Sequence, residues 1–426
     1  MTKRRTVRKQ GSIKELIPGK KYRIKLFVGW VPNPKQAGGK KRRYHSQTIH
    51  GTRSQAQEVL DGLVRGKTDE TLDLDALDLT VGAYLERWIT HVSKRDVRES
   101  TSEKQIYMLR ADVIPLLGNL RLSSLSTIHV DKLISYLQDE RSLSPRSVRY
   151  YVATLSKALN KARTWGLINA NPVKGSSLPK LEPREIIVLE PEELIRFLIN
   201  SLQRRFGAPL LLLLASTGVR PSEAYALRWE DVDLVGGRIH INRTLVRYTG
   251  GYQFDRPKTK RSQRLVTLNA SMVTLLEALK VAVRPSPSDL VFPNTVGEPL
   301  HGSTVYHKIF TPVLQSTPNL TPEKKLSLRM YDLRHSHATH LLLRNTHPKI
   351  VSERLGHSSV QITLDTYSHV LPSMQYEAAL VVESLYEDEA LEDAVTLQEE
   401  ADKQLAPLKA ELRQELSNYC DWLRSQ

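Results

Sequence analysis

Hydrophobic positions recur along the chain at two spacings, one typical of strands and one typical of helices. Between Gly11 and Ile49, three strand-like runs, SIKELI, KYRIKLFV and RRYHSQTI, are separated by Pro18-Gly19 and by the turn-rich sequence PNPKQAGGKK. This pattern predicts a three-stranded sheet. From about Arg53 to Val64, apolar residues recur at helical spacing, which predicts one helix after the sheet.

Helical spacing dominates the next hundred residues. The amphipathic sequence LTVGAYLERWITHV opens this segment, and further helices are expected near Glu103–Ile114, His129–Glu140 and Pro145–Trp165. Ser144 before Pro145 is a good helix start, because proline at the first helical position lacks only an N–H that would be unpaired anyway. An all-helical domain is therefore expected up to about Asn171.

The second half of the chain mixes both patterns. The sequence LLLLL within Pro209–Ser216 predicts a buried helix, and residues 238–247 and 263–268 predict strands. A turn at 248–251 follows the first strand, and residues 269–283 predict another helix. This part of the chain is therefore expected to be a mixed α+β domain.

Three more helices are predicted near the end of that domain. Asp332 is a plausible N-cap for the first, and Pro348 begins the second, which Gly356 ends in the left-handed conformation. Ser358 or Ser359 caps the third. Each helix therefore has its own start or stop signal.

Two polar segments divide the chain into domains. They are GKTDETLDLDALD at 66–78 and the Pro-, Gly- and Ser-rich sequence at 172–185. We therefore expect a multidomain, mainly α protein with small β-sheets. The predicted parts are a basic sheet-and-helix domain at 1–65, a linker at 66–78, a helical domain at 79–171, a linker at 172–185, a mixed α+β domain at 186–370 and an acidic helical tail at 371–426.

Charge and composition narrow the class of partner. The formal net charge is +16, and residues 1–67 carry 18 Lys or Arg against 3 Asp or Glu. Such a charge balance favours a polyanionic binding partner. The low aromatic content of 6% argues against a protein that binds single-stranded nucleic acid by base stacking. The single cysteine, Cys420, excludes a disulfide framework or a thiolate zinc site. No apolar run approaches a membrane span and no signal peptide is recognised, so a cytoplasmic protein is expected.

The sequence from Tyr331 to Val370 carries the clearest chemistry. An arginine, Arg334, follows Tyr331 by three positions, a histidine, His357, follows a glycine, and Tyr367 lies ten residues further on. Arginine binds phosphate oxygens and a tyrosine can act as a nucleophile, so this set suits reaction at a phosphodiester.

A second arginine lies earlier in the chain, in TGVRPSEAYALRW. Gly218 permits a tight turn and Pro221 begins a helix, which leaves Arg220 at the joint between them. An arginine beside a helix N-terminus can present parallel donors to a phosphate. Taken alone, it is more often an ordinary surface residue.

These motifs together resemble those of the tyrosine recombinases, the phage integrase family. That family's pattern combines a Gly-x-Arg-x-x-Glu box, a lysine on a β-hairpin, His-x-x-Arg, Leu-Gly-His and a tyrosine about ten residues later. The chain departs from it at one position, where Tyr331 replaces the first histidine. The matching residues are Arg220, Glu223, Lys258 with Lys260 as its rival, Arg334, His357 and Tyr367.

The resemblance implies a role for each of these residues. Tyr367 would attack DNA and form a covalent 3′-phosphotyrosine, while Arg220 and Arg334 hold the nonbridging oxygens. His357 would donate another hydrogen bond, and Lys258 would protonate the leaving 5′-oxygen. Glu223 would support the site, and Tyr331 would hydrogen-bond the phosphate or the nucleophile. Lys258 and Lys260 alternatively belong to a basic loop that only contacts phosphates.

The resemblance also implies double-stranded DNA as partner. Residues 1–65 would be the arm-site DNA-binding domain, and residues 79–171 the SAM-like core-binding domain. A basic domain for RNA or nonspecific DNA remains an alternative for the first, and a solvated helix face for the second. The candidate DNA contacts are Lys41, Arg42, Arg43, Arg146, Arg149, Lys157, Lys161 and Lys260.

The function implied is a site-specific integrase that inserts and excises a mobile element through a Holliday junction. Its working unit would be a homotetramer on DNA, with a host bending protein or an excision factor as further partners and with no cofactor. Two alternatives remain: a relaxing topoisomerase of the same chemistry, and a catalytically silent DNA-binding regulator.

Two further features leave questions open. The motif HxHxxH at His335, His337 and His340 could gather metal ligands, but positions i and i+2 of a helix point apart and no carboxylate or thiolate set accompanies them. We therefore expect no metal site. The acidic tail either covers a basic DNA groove or is a solvated helix.

Overall fold

The computed structural model describes residues 11–32, 39–68, 79–93, 99–182, 185–257, 262–282, 289–367 and 389–426, together with the single positions 379 and 382. The chain divides into two compact units, Met1–Glu182 and Pro183–Gln426. Among the described residues, helices dominate both units, with one small sheet in the first and two in the second. The predicted class, multidomain and mainly α with small β-sheets, is confirmed.

The first unit begins with a three-stranded antiparallel sheet, as predicted, in which the strands β1 (Gly11–Ile17), β2 (Lys21–Pro32) and β3 (Lys40–His50) follow one another in chain order. Tyr22, Ile24 and Leu26 alternate along the middle strand and are buried against the helix that follows. Arg23 and Lys25 therefore point to the opposite, exposed face of the sheet. The helix is α1 (Arg53–Thr68).

The rest of the first unit is helical and has its own core around Tyr84, Trp88, Leu133 and Leu155. Two of its helices continue through a π-helical turn, at 89–93 and 109–113. The helix predicted at 103–114 begins earlier than expected, at residue 99. The α-helices are α2 (Val81–Trp88), α3 (Glu99–Met108), α4 (Ile114–Leu117), α5 (Thr127–Asp139) and α6 (Pro145–Thr164).

The predicted start of α6 is confirmed by its cap. The hydroxyl of Ser144 accepts a hydrogen bond from the backbone N–H of Ser147 at 3.3 Å, and Pro145 occupies the first turn. Beyond Asn171, a 3-10 turn at Pro172–Gly175 buries Val173 in the helical core. The first residues of the predicted linker thus pack on the helical domain.

The second unit is built around α8 (Ala208–Thr217), whose leucines are buried on every side as the LLLLL run predicts. Four helices belong to the first part of the unit: α7 (Pro191–Arg204), α8 (Ala208–Thr217), α9 (Pro221–Ala224) and α10 (Ala270–Ala282). The helix α7 has no counterpart among the predicted helices.

Two small antiparallel sheets lie between α9 and α10. One has the order β4-β5-β8, and the other is the hairpin β6-β7. The single strand predicted at 238–247 is wrong, because residues 238–241 pair with residues 264–267 and residues 244–248 pair with residues 251–255. Between the two strands, the side chains of Asn242 and Arg243 bind Asp231 at 2.6 Å and Glu230 at 2.7 Å. The strands are β4 (Val232–Asp233), β5 (Arg238–Ile241), β6 (Thr244–Tyr248), β7 (Gly251–Asp255) and β8 (Arg264–Thr267).

The remaining helices carry most of the predicted site. The assignment of Asp332 as an N-cap is wrong by one residue: Tyr331 is the N-cap, and the Asp332 carboxylate accepts the backbone N–H of Arg329 at 2.7 Å. The helices are α11 (Gly302–Val305), α12 (Thr311–Ser316), α13 (Pro322–Ser327), α14 (Asp332–Leu343), α15 (Pro348–Leu355), α16 (Val360–Thr366) and α17 (Glu389–Arg424).

The acidic tail contributes to the second unit's core. Tyr419, Cys420 and Leu423 of α17 are buried there, and the Tyr419 hydroxyl donates to the carbonyl of Arg205 at 2.9 Å. The Arg205 guanidinium lies 4.8 Å from the ring centre of Trp422. The interpretation of the tail as a solvated helix is therefore wrong for the C-terminal part of α17.

Candidate active site

The turn between α8 and α9 presents the first arginine. Gly218 ends α8 with φ of +65°. Arg220 is the N-cap of α9, and Pro221 is the first residue of that helix. Glu223 fixes Arg220 twice: its carboxylate accepts the Arg220 backbone N–H at 2.9 Å and the guanidinium at 2.8 Å. The arginine is thereby oriented before any ligand is present.

Glu223 is shared between two arginines. It is buried, and it also accepts two hydrogen bonds from the guanidinium of Arg264, at 2.9 and 3.3 Å. Burial alone would raise the pKa of Glu223, but the charges of Arg264 and Arg220 outweigh it and lower that pKa. Burial conversely lowers the pKa of Arg220, and the charge and hydrogen bond of Glu223, with a contribution from Tyr331, outweigh it and raise that pKa.

Arg334 is fixed by backbone carbonyls. It is 2% exposed, and its two terminal nitrogens donate to the carbonyls of Gly218 at 2.7 Å and Leu355 at 2.8 Å. Burial, reinforced by the charge of Arg220, lowers the pKa of Arg334 to about 10, so it stays charged at neutral pH. Arg334 therefore joins the end of α8 to the end of α15.

The first carbonyl belongs to Gly218 and the second directly precedes Gly356, and neither glycine could be replaced without strain. A Cβ on Gly218 would come within 2.7 Å of the His337 ring, and one on Gly356 within 2.9 Å of the Arg264 guanidinium. Both glycines have positive φ, +65° and +71°. The left-handed conformation predicted for Gly356 is confirmed.

Tyr331, at the position of the family's first histidine, is 40% exposed. Its ring meets the His335 ring edge to face at a centroid distance of 5.2 Å, and the Arg334 guanidinium lies 5.9 Å from the Tyr331 ring centre. Tyr331 therefore lies at the surface end of the cluster, beside Arg220 and Arg334.

His357 and Tyr367 close the site from the other side. The Nδ1 atom of His357 lies 2.8 Å from the Thr363 hydroxyl, and burial, with the charge of Arg334, lowers the pKa of His357 to about 4. Tyr367 is 2% exposed and packs among Ala338, Leu342, Val351 and Leu355. Burial raises the pKa of its phenol.

The hydroxyl of Tyr367 is held by a residue that the sequence analysis did not assign to the site. It lies 3.0 Å from Nδ1 of His335, and the two rings meet edge to face at 5.7 Å. The second unassigned residue is Arg264, which connects Glu223 to the Arg354 carbonyl at 2.6 Å. Six predicted residues, Arg220, Glu223, Tyr331, Arg334, His357 and Tyr367, are brought together, and Lys258 and Lys260 lie outside the described residues.

The three histidines of the HxHxxH motif lie in three different surroundings. His335 faces Tyr367, whereas His337 contacts the Ala215 carbonyl at 3.0 Å and accepts the Arg354 guanidinium at 3.0 Å. Burial lowers the pKa of His337 to about 3 and also lowers that of His340. Within the described ranges, no group of three potential ligands could hold a metal ion.

The predicted DNA contacts in the first unit differ in exposure. Lys41 and Arg42 are exposed on β3, where the Arg42 guanidinium lies 5.5 Å from the ring centre of Trp30, and Arg43 belongs to the same strand. Trp30 is itself 56% exposed. This end of the sheet thus combines positive charge with an exposed indole.

On α6, Arg146 is exposed and Arg149 instead donates to the carbonyl of Pro179 at 2.8 Å. Lys157 and Lys161 lie over aromatic rings, 5.8 Å from Trp88 and 5.6 Å from Trp165. Arg149 is thus partly engaged in local structure.

No helix among the described residues has the length and apolar character of a membrane span.

Three family models match the chain. The phage integrase family model covers residues 189–374, and two models of the integrase SAM-like domain cover residues 80–138 and 117–178. The first range contains the whole candidate active site. The other two fall on the helical part of the first unit.

Related proteins match over long ranges. The ICEBs1 integrase of Bacillus subtilis is 24% identical over 86% of this chain and 98% of its own length. The tyrosine recombinase XerC of the same organism is 31% identical over 55% of this chain and 74% of its own length.

Solved structures show the same fold. A fragment of the Tn1549 transposon integrase in complex with circular intermediate DNA has a TM-score of 0.59 at 21% identity, covering 68% of this chain and 94% of that fragment. A lambda integrase tetramer bound to a Holliday junction has a TM-score of 0.51 at 18% identity, covering 85% and 96%. With these matches, the chain belongs to the phage integrase family and is a tyrosine site-specific recombinase.

Proposed function

We propose that this recombinase is the integrase of a mobile element and cleaves DNA through Tyr367, forming a covalent 3′-phosphotyrosine and releasing a 5′-hydroxyl. The observation that carries the proposal is the convergence of the half-buried Arg220 with the buried Arg334 and Tyr367 in one cluster. Two fixed positive charges beside a phenol suit attack on a phosphodiester.

Each charged residue has a task in this reaction. Arg220 and Arg334 neutralise the nonbridging oxygens, a part that metal ions play in other phosphoryl-transfer enzymes. Glu223 and two carbonyls orient them beforehand, so little reorganisation accompanies the reaction. His357, held neutral by burial, donates a hydrogen bond to the phosphate, and Lys258 protonates the leaving oxygen. Loss of either arginine would cost about 3 kcal/mol of transition-state stabilisation.

The first unit would bind DNA at two places. We assign arm-site binding to residues 1–65 and core-site binding to residues 79–171. The exposed face of the N-terminal sheet supports the first assignment, because Arg23 and Lys25 of β2 share it with Tyr44 of β3, which lies opposite Phe27. Basic side chains bind phosphates and exposed aromatic rings can contact sugars and bases. The basic residues of α6 support the second assignment.

The working unit would be a homotetramer on DNA. Complete exchange requires four strand cleavages, and one active site of this kind cleaves one strand. The similarity to a lambda integrase tetramer bound to a Holliday junction supports this assembly. Integration and excision would take place in the cytoplasm of a bacterial host, with a bending protein or an excision factor as additional partners.

Covalent trapping tests the proposal. The protein would be incubated in EDTA with nicked duplexes from the DNA flanking its own gene, beside a Tyr367→Phe variant. We expect a denaturation-resistant adduct at the DNA 3′ end with the unsubstituted protein and none with the variant. Phenylalanine fills the same buried space, so we expect the variant to fold. Equal DNA binding by both proteins would confirm this.

One observation favours a second function. Tyr367 is 2% exposed, so its hydroxyl must move or be uncovered before it reaches a phosphate. In a catalytically silent DNA-binding regulator, Tyr367 would stay buried permanently. Binding to a known junction of the element without any adduct would favour the regulator and contradict the integrase.

A further inference from the structure

We propose that His335 accepts the phenolic proton of Tyr367 as Tyr367 attacks the DNA phosphate. The inference rests on the function proposed above for this site. The family pattern offers a histidine three residues before Arg334, where this chain has Tyr331. His335, one residue after Arg334, would supply an imidazole from the same helix.

The geometry places His335 at the reacting oxygen. Its Nδ1 atom lies 3.0 Å from the Tyr367 hydroxyl, within the range in which a general base takes a proton. With the imidazole proton on Nε2, Nδ1 accepts a hydrogen bond from this hydroxyl. The contact therefore joins the nucleophile directly to the helix that carries Arg334.

Two aromatic rings fix the imidazole. The rings of Tyr331 and Tyr367 both contact His335 edge to face, at centroid distances of 5.2 and 5.7 Å. Tyr331 and His335 are four residues apart and so share one face of α14. Tyr331 would therefore act by holding His335 in place, which gives a role to the residue that departs from the family pattern.

The other candidates in the described part of the chain are less suitable. Tyr331 is a phenol, a poor base at neutral pH. The Nδ1 atom of His357 contacts Thr363, and burial, with the charge of Arg334, lowers the pKa of His357 to about 4. His337 is engaged on both nitrogens, by Ala215 and Arg354.

The proton and the bonds balance in both directions. In cleavage, the bond between Tyr367 Oη and phosphorus forms, the bond from phosphorus to the 5′-oxygen breaks, and the phenolic proton moves to Nδ1 of His335. The 5′-oxygen leaves with a proton from a separate acid. In rejoining, the 5′-hydroxyl attacks phosphorus and gives its proton back to the separate acid, the bond between phosphorus and the Tyr367 oxygen breaks, and His335 returns its proton to that oxygen.

Two substitutions separate proton acceptance from positioning. His335→Ala removes both, whereas His335→Asn places an amide oxygen near the position of Nδ1 that can accept a hydrogen bond but has no basicity at neutral pH. His340→Asn is the matched control, because His340 lies on the same helix in other surroundings. Thermal unfolding and DNA binding would establish that each variant is folded.

Single-turnover cleavage would be measured with saturating protein on two nicked duplexes. One is ordinary DNA, and the other has sulfur as the bridging 5′ atom, which leaves without a proton. We expect both His335 variants to cleave either duplex about 100-fold more slowly, since a general base typically contributes at least that factor. The His340 control should cleave at the unsubstituted rate.

Three results would overturn the inference. An Asn variant close to the unsubstituted rate would show that His335 only positions Tyr367, and an Ala variant at that rate would show that it does neither. A loss restored by the sulfur substrate would place His335 at the leaving oxygen. If the unsubstituted protein itself forms no adduct, the proposed function fails, and this inference fails with it.

Discussion

Replacing Glu223 by glutamine tests whether one buried carboxylate holds the arginines in place. Glu223 is 3% exposed and binds Arg264, whose side chain is 6% exposed, and Arg220, whose side chain is 31% exposed. Glutamine keeps the shape of the side chain but loses its charge, and the N–H donors of its amide group would face the N–H donors of the arginines. The two guanidinium groups would then repel each other without compensation.

The magnitude follows from the burial of each pair. Removing one partner of a buried ion pair costs about 3–5 kcal/mol, whereas an exposed pair contributes about 1 kcal/mol or less. Arg264 belongs to the first class, and Arg220 is partly screened by solvent. We therefore expect Glu223→Gln to reduce the free energy of unfolding of the second unit by about 3 kcal/mol.

Hydrogen exchange of the backbone amides of α8 would report this free energy for the second unit alone. Glu230→Gln is the matched control, because Glu230 is 55% exposed and binds Arg243 at 2.7 Å. It should change the free energy by less than about 1 kcal/mol. Equal exchange in the two variants would refute the structural role of Glu223.

The pH dependence gives an independent test. The pKa of Glu223 is lowered in the folded protein by Arg264 and Arg220, although burial alone would raise it. Its stabilising effect is therefore fully present above its unfolded pKa of about 4.3 and is lost as pH falls through the lower folded pKa. The difference between Glu223 and its glutamine variant should be constant from pH 6 to 8 and shrink only below about pH 4.3.

Three further predictions concern neighbouring parts of the second unit. Gly218→Ala should reduce the free energy of unfolding by about 2 kcal/mol or more, measured by urea titration, because φ is positive there and the new Cβ would strike the His337 ring. The same free energy should fall as pH drops below about 6.5, by about 2 kcal/mol at pH 5 for His337 and by less for the more exposed His357, because the unfolded chain takes up protons that these imidazoles do not; pH-dependent unfolding would show it. Deletion of residues 389–426 should expose apolar core and make the protein bind a hydrophobic dye, whereas an unchanged melting curve would contradict the packing of α17.

Local signals in the sequence were sufficient to predict helix ends, because a helix end depends on the residues next to it. Gly356 ends a helix because only glycine adopts positive φ there without cost, and Ser144 caps α6 because its hydroxyl reaches an unpaired N–H. Family motifs indicated Arg220, Glu223, Arg334, His357 and Tyr367. The structure adds their mutual geometry.

Contacts between distant parts of the chain were not accessible in the same way. Arg264 binds Glu223 across 41 positions, and a lone arginine on a strand gives no sign of such a partner. One signal was present: Arg264 alternates with Leu265 and so shares the inward face of β8 with Val266. A charged residue on an inward face requires a buried partner.

The sequence indicates His335 only as a possible metal ligand, because it forms the motif HxHxxH with His337 and His340. Its four-residue spacing from Tyr331 was visible in the sequence and places both on one face of α14. The approach of Tyr367, however, depends on how the end of α16 packs among residues of α14 and α15, which no local pattern encodes. In the tail, Leu408, Leu412, Leu416 and Tyr419 recur at helical spacing and form an apolar stripe that is visible in the sequence. The surface on which this stripe docks is not visible there.

The most direct test of the account is the identity of the residue joined to DNA. The trapped adduct would be digested with nuclease and protease, and the modified peptide sequenced by mass spectrometry. We predict one modified residue, Tyr367, carrying a nucleotide through its 3′-phosphate. A nucleotide on Tyr331 or on any other residue, or a link to a 5′-phosphate, would contradict the assignment of Tyr367 as the nucleophile.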